Sequence, residues 1–358
     1  RLLVLAPMEV MTMNDVTTLS ANDLLAIQPS EPERLFTGDE AVAHQEFRAL
    51  ASRWHPDRCP DAGTTGVFQH VNRLYGIAVR KLRGGIWQTP GLLVLRATDG
   101  ATYKIRYRKE RAFELGRLFV GGEIVAYVVE NDHADLFENA LQVIDRLPCA
   151  DPRMAAEIGR CLPEIVRHFD TEEGRVLVLR KTPDRVLLRD LLDHCGGRLD
   201  ARHVAWIVSS LLNLACYLDY ARLAHNAILA DTWFVSPPQH AGALLGGWWY
   251  AVRQGERMQA APAATVQYAP FEVMDRRRGD IRTDLELIRA LGRQLLGDAT
   301  GLRLEREKAA PRPMLDWLRL PAGDSALRDY QIWTNRVLKD SFGKRRFVKL
   351  DVSAEDLY

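Results

Sequence analysis

The sequence predicts an α+β chain built in two parts: a small helical hairpin, then an antiparallel β-sheet that gives way to a mainly helical region. Three observations carry this expectation. Two amphipathic helical patterns flank the tripeptide His55-Pro56-Asp57; glycine-centred turns at Asp99-Gly100 and Gly121-Gly122 each separate two β-rich runs; and a strongly apolar helical run occupies Val204 to Leu218.

At 358 residues, with 47% hydrophobic and 27% charged side chains, the chain is long enough for two or three domains with real cores. Its 48 lysines and arginines balance 47 aspartates and glutamates. The net charge of +1 gives no global attraction to nucleic acid or an anionic membrane, so nucleic acid is not an expected partner. No apolar run approaches the roughly 20 residues needed to span a bilayer, and no membrane association is expected. Cys59, Cys149, Cys161, Cys195 and Cys216 show neither a CxxC pair nor metal-ligand spacing. The reading is a reduced, cytoplasmic protein with no metal and no cofactor. The opening apolar run is too short for a secretory signal, and Met8, Met11 and Met13 each offer a start, so residues 1–30 are set aside as an N-terminal extension.

Residues 31–84 form the first domain. Ala43, Phe47, Leu50, Ala51 and Trp54 recur at helical spacing, with Thr37 or Asp39 as cap and Glu40 in the first turn. Pro56 bars continuation and biases His55 away from helical dihedrals. A second helix is expected over Phe68, Val71, Tyr75, Val79 and Leu82, ending at Gly84-Gly85. Two antiparallel helices would thus hold His55-Pro56-Asp57 in the exposed loop between them.

This segment resembles the DnaJ family in Leu35-Phe36, Phe47-Arg48-Ala49-Leu50-Ala51, His55-Pro56-Asp57, Phe68-Gln69-His70-Val71-Asn72 and Tyr75. The resemblance implies a J-domain whose Asp57 accepts charge-assisted hydrogen bonds from an arginine of a DnaK-type chaperone, with His55 and Pro56 packing at that partner's interdomain junction. Arg48, Arg53 and Arg58, with His44, would supply the basic face. Two alternatives stay open: His55 and Asp57 cap a plain helical hairpin, or the J-fold serves as a scaffold without stimulating a chaperone.

Residues 85–98 read as a linker and first strand. Hairpins are expected across Asp99-Gly100 and Gly121-Gly122. An amphipathic helix follows over Leu136, Ala140, Val143, Ile144 and Leu147, then strands at Ile165–Phe169 and Val176–Leu179. Downstream lie the Val204–Leu218 helix, the run Leu223 to Val235, Leu244-Leu245-Gly246-Gly247-Trp248, Tyr268-Ala269-Pro270-Phe271-Glu272, and a helix opening at Thr283-Asp284-Leu285.

The order and these motifs resemble the protein kinase superfamily over about 250 residues, which implies a bilobal domain with an N-lobe at 99–182 and a mainly helical C-lobe at 183–358. Residue by residue the chemistry fails. Kinase catalysis needs a strand lysine, an aspartate that accepts the hydroxyl proton, and ligands for magnesium. Val128 stands at the lysine position, Ala227 at the aspartate, Thr232 at the asparagine, and Gly246 or Gly247 at the metal-binding acid. No glycine-rich loop precedes them, the first turn being expected at Arg108 to Ala112. Residues with structural roles in the family are kept: His225, Pro270 with Glu272, and Asp284, which there holds loop amides. Arg336 is the expected partner of Glu272. Trp248-Trp249-Tyr250 reads as core, and Arg276-Arg277-Arg278 as an exposed loop.

The expectation is therefore a co-chaperone or adaptor joining a chaperone-stimulating module to a catalytically inactive kinase-like domain that binds a client or complex partner. The alternatives are a divergent phosphotransferase using Asp219 or Asp231, and a purely structural subunit.

Overall fold

The structure is a computed structural model and describes residues 16, 19–29, 31–56, 63–85, 87, 91–344 and 346–358. Asp57, Arg58 and Cys59 lie outside the described residues. Helices and antiparallel sheets make an α+β fold in two compact units, the first running to Leu95 and taking in Thr102–Arg106, the second holding Arg96–Ala101 and Tyr107–Tyr358.

The first unit is built on helices α1 (Ala21–Ala26), α2 (Glu40–Arg53) and α3 (Thr64–Arg83), with a 3-10 turn at Pro32–Arg34. Three of these starts have a local cause. Ser20 and Asp23 form a capping box at α1, Pro32 opens the 3-10 turn, and the Asp39 carboxylate accepts from the amides of Ala41 (2.9 Å) and Val42 (3.0 Å) at α2. Helices α2 and α3 run antiparallel: Arg83, at the end of α3, donates to Glu40 at the start of α2, and Phe47 stacks on Tyr75 with centroids 4.2 Å apart. Leu50, Val71 and Leu74 form the seam between them. Val16, Leu24 and Ile27 are buried in the same core, so the packed unit reaches further toward the N-terminus than residue 31. A six-residue helix such as α1 is too short to display a 3.6-residue repeat, which hides it in the sequence.

Strands β1 (Leu92–Arg96) and β2 (Thr102–Arg106) form the expected hairpin, but as a separate two-stranded ribbon rather than part of a larger sheet. Its turn is fixed by Gly100 at φ 89° and by the Ala101 amide, which donates to Asp99.

A five-stranded antiparallel sheet follows, in the order β3 (Lys109–Phe113), β4 (Gly116–Val120), β5 (Ile124–Glu130), β7 (Gly174–Arg180), β6 (Ile165–Asp170). Residues 108 to 112 are thus chiefly strand, not the turn their charges suggest. The turn lies at Glu114-Leu115. β3 is an edge strand with one half-buried face, and edge strands tolerate charged residues that make them look like loops. Gly116 is required by close approach: a Cβ there would sit 2.0 Å from the Val128 carbonyl oxygen.

Helix α4 (Ala134–Asp145) packs Leu136, Phe137, Ala140 and Ile144 into the core. Short α5 (Pro152–Ile158) was not anticipated, although Asp151, which caps the Met154 amide at 2.7 Å, and Pro152 at its first position are ordinary start signals. After β7 the chain enters β8 (Val186–Leu187), α6 (Leu188–His194) and the long buried α7 (Ala201–Tyr220). The ribbons β9 (Leu223–Ala224) with β12 (Val252–Arg253), and β10 (Trp233–Ser236) with β11 (Ala241–Leu244), carry the loops of the candidate site. Helices α8 (Ala263–Tyr268), α9 (Phe271–Arg276) and α10 (Ile281–Leu295) support them, with further short helices beyond. Among the described residues no helix is long and apolar enough to cross a membrane.

Candidate functional sites

In the second unit, the loop from His225 to Thr232 is suspended from α10. The Asp284 carboxylate accepts from the backbone amides of His225 (2.7 Å) and Asn226 (2.8 Å), and all three residues are fully buried. Asn226 holds a left-handed conformation at φ 62°, and its side-chain amide donates to the carbonyls of Ala224 and Tyr250. Burial raises the Asp284 pKa to about 7, although the two donated amide hydrogens oppose that shift. The His225 imidazole meets Trp248 edge-on at 4.8 Å, and burial lowers its pKa to about 3, so it is neutral. Thr232 closes the loop by donating its hydroxyl to the Ala227 carbonyl at 2.7 Å.

Above this loop, strand alternation selects Tyr127. Cross-strand neighbours Leu118, Tyr127 and Leu177 belong to the large core, while Val128 lies between Arg117 and Val176 on the opposite face. Of the two, it is Tyr127 that reaches the loop. A Cβ on Gly246 would lie 2.6 Å from the Tyr127 hydroxyl, and one on Gly247, at φ 81°, 2.8 Å from both Ala227 and His225. Neither glycine site has room for a carboxylate.

The remaining space is a cavity of about 240 Å³ walled by Phe113, Tyr127, Ala227, Asp231, Thr232 and Trp249. Phe113 stacks on Trp249 at 5.2 Å, and Tyr127 meets Trp249 edge-on at 5.0 Å. Asn139 of α4 ties this cluster down by donating to the carbonyls of Trp249 and Ala251. The cations of β3 are already engaged, Lys109 with Asp190 at 2.9 Å and Arg111 with both Asp190 and Asp193. Asp231 is held bidentately by Arg189, at 3.1 and 3.0 Å, and Asp219 accepts from Gln254 at 3.2 Å. Among the described residues no group of three or more His, Cys, Asp or Glu side chains is placed to hold a metal ion.

Pro270 caps α9 and is half-buried; Glu272, in the first turn, is exposed. Arg336 is exposed too, and no ion pair joins it to Glu272. The buried arginine of this region is instead Arg289, 2.9 Å from Asp329 and lying over Trp317 at 4.0 Å. Sequence reasoning missed Lys181, whose buried ammonium donates to the carbonyls of Gly122, Thr182 and Arg185. Burial lowers its pKa to about 8. Nothing in a lone lysine after a strand signals that role, whereas Tyr127 could have been found from the two-residue alternation Val125, Tyr127, Val129.

In the first unit, His55 and Pro56 follow the end of α2 and are half-buried, the His55 ring meeting Phe68 of α3 at 5.4 Å. Arg48 and Arg53 are exposed on α2, Arg53 lying over the Trp54 ring. His44 shares a hydrogen bond with the Tyr75 hydroxyl at 2.9 Å.

The chain matches no model of a known protein family, and no curated protein matches it.

Proposed function

We propose that this chain is a cytoplasmic J-domain co-chaperone or adaptor whose first unit stimulates the ATPase of a DnaK-type chaperone. Its second unit is a bilobal, kinase-like domain without phosphotransfer activity that binds a client or complex partner. A single contrast carries the reading. The polar chemistry of the first unit lies on and just after α2, in half-buried His55-Pro56 and exposed Arg48 and Arg53. The corresponding loop of the second unit is buried and uncharged at every position where phosphoryl transfer needs charge.

The helix pair supports the J-domain half because His55 and Pro56 follow the end of α2, outside the buried core that α2 and α3 share. Asp57, on this reading, accepts hydrogen bonds from the chaperone's arginine. The contact shifts the chaperone toward its hydrolysis-competent state, a population shift that needs no active site in this chain.

The order sheet, helix, two strands and long helical region supports the kinase-like half, and so does Asp284, which takes the amide-holding role the resemblance implies for it. Inactivity follows from the side chains present. On the resemblance, Val128 stands in place of the lysine, Ala227 of the base, and Thr232 with Gly246 or Gly247 of the metal ligands, each such source of charge being typically worth several kcal/mol in a buried site. The rival phosphotransferase reading has one observation in its favour, that Asp231 lines the cavity. Asp231→Asn would then abolish a transfer activity that the proposal says is absent. Joining the two units on one chain would deliver the client to the chaperone at high local concentration.

The decisive assay is steady-state ATP hydrolysis by a DnaK-type chaperone from the same host. The full chain is expected to accelerate it, and His55→Gln or Asp57→Asn to remove the acceleration with circular dichroism unchanged. Equal acceleration by wild type and both variants contradicts the proposal.

A further inference from the structure

A second concave surface lies away from the cavity, where the segment around Met258 faces α8 and α9. It is a groove of about 780 Å³, with Met258, Val266 and Met274 among its apolar walls and Arg257 and Arg277 on its lining. Val266 is 56% exposed, and Phe271, on α9, is 80% exposed. Methionines line adaptable contact surfaces because their side chains repack at little cost.

The backbone concentrates positive charge at this groove. Arg257 bridges Arg278 in antiparallel pairing, the Met258 amide donates to the Arg277 carbonyl, and the Gly255 and Gly279 amides bind across the same ribbon. Residues 253–258 and 271–278 thereby bring five arginines together against three carboxylates, Glu256, Glu272 and Asp275, a surplus of two positive charges. Arg276, Arg277 and Arg278 are exposed, as is Arg257. Arg278 donates to the Gly255 carbonyl, and among the described residues no carboxylate lies within ion-pair distance of these four arginines. Like charges clustered by backbone pairing repel one another, and the repulsion is relieved by an anionic partner.

We propose that this groove is the partner-binding surface of the second unit and takes a peptide segment in which acidic residues flank a large apolar side chain. The apolar anchor enters between Met258 and Met274, and the acidic residues meet Arg257 and Arg277. The charge surplus selects an acidic peptide over a basic one and speeds its encounter. The inference rests on the reading of the second unit as a binding domain, and it goes further by naming the surface and the chemistry of the partner.

The test uses the full chain to select binders from a random peptide display library and measures their affinity by fluorescence polarisation. Selected peptides are expected to carry Glu or Asp beside an aromatic or large aliphatic residue. Their affinity should fall at least about tenfold with Arg257→Glu and with Arg277→Asn, and should weaken as salt is raised. Asn is used at position 277 because that residue sits at φ 51°, which Asn tolerates. Selected peptides without acidic bias, affinities unchanged by both variants, or a selection that enriches nothing would each overturn the groove. Chaperone stimulation measured on the same proteins separates the two claims: the groove can fail while stimulation persists, and stimulation can fail while acidic peptides still bind.

Discussion

The two loops that the sequence singles out face opposite environments. His55-Pro56 follows a helix and is half-buried, with exposed arginines on that helix, whereas His225-Asn226-Ala227 is fully buried, the His225 and Asn226 amides donating to Asp284. A histidine in the first setting can meet a partner. In the second it is a neutral packing element, and the difference teaches that the same residue type signals function only with its burial and its hydrogen-bond partners attached.

The strongest way to break this comparison is to remove the aspartate that holds the buried loop. Asp284→Ala leaves two buried amides without acceptors, at roughly 1–3 kcal/mol each. The second unit should lose about 4 kcal/mol in urea denaturation, while the chaperone stimulation proposed for the first unit, assayed below the unfolding transition, is kept. A loss under about 1 kcal/mol would mean that the loop is held by something else.

Acidification sharpens the same point, because Asp284 and His225 titrate with opposite consequences. The Asp284 pKa is raised to about 7 on folding, so its contribution is fully present below the unfolded value near 3.8 and is lost as pH rises through 7. The His225 pKa is lowered to about 3, so its contribution is present above 6.5 and is lost as pH falls toward 3. Between pH 6.5 and 4 the two nearly cancel. His225→Phe removes one side of the balance, and its stability relative to wild type should rise by roughly 3 kcal/mol over that interval. Parallel pH curves would show that the imidazole is not shielded as described.

A smaller effect is expected at Tyr127. Its hydroxyl is buried and has no hydrogen-bond partner among the described residues, so Tyr127→Phe removes a buried polar group without changing the packing of the ring. Stability should rise by about 1 kcal/mol. A loss of that size instead would mean that the hydroxyl does bond within the cavity.

Much of this was legible in the sequence because it rests on local chemistry. Asp39 caps its helix, Gly121-Gly122 turns β4 into β5, and the apolar run of α7 marks a buried helix. What stayed hidden depends on tertiary placement. The charges of β3 disguise an edge strand, α1 is shorter than two helical turns, and the choice between Tyr127 and Val128 turns on which face of β5 meets the loop. The Glu272 and Arg336 pairing could not be judged from spacing, since which arginine is buried depends on how α10 packs against the helices after it. The groove around Met258 was legible only as an arginine run, because the ribbon that adds Arg257 to it joins residues about twenty apart in sequence.

On the proposed function, this chain acts on a chaperone's ATP turnover and not on ATP itself. It is tested most directly in one reaction containing γ-labelled ATP, magnesium, a DnaK-type chaperone and the full chain, with free phosphate and protein-bound label read together. Phosphate release is expected to need both the chaperone and an intact His55, with no label on either protein. Label transferred to protein, or release that survives without the chaperone, would contradict it.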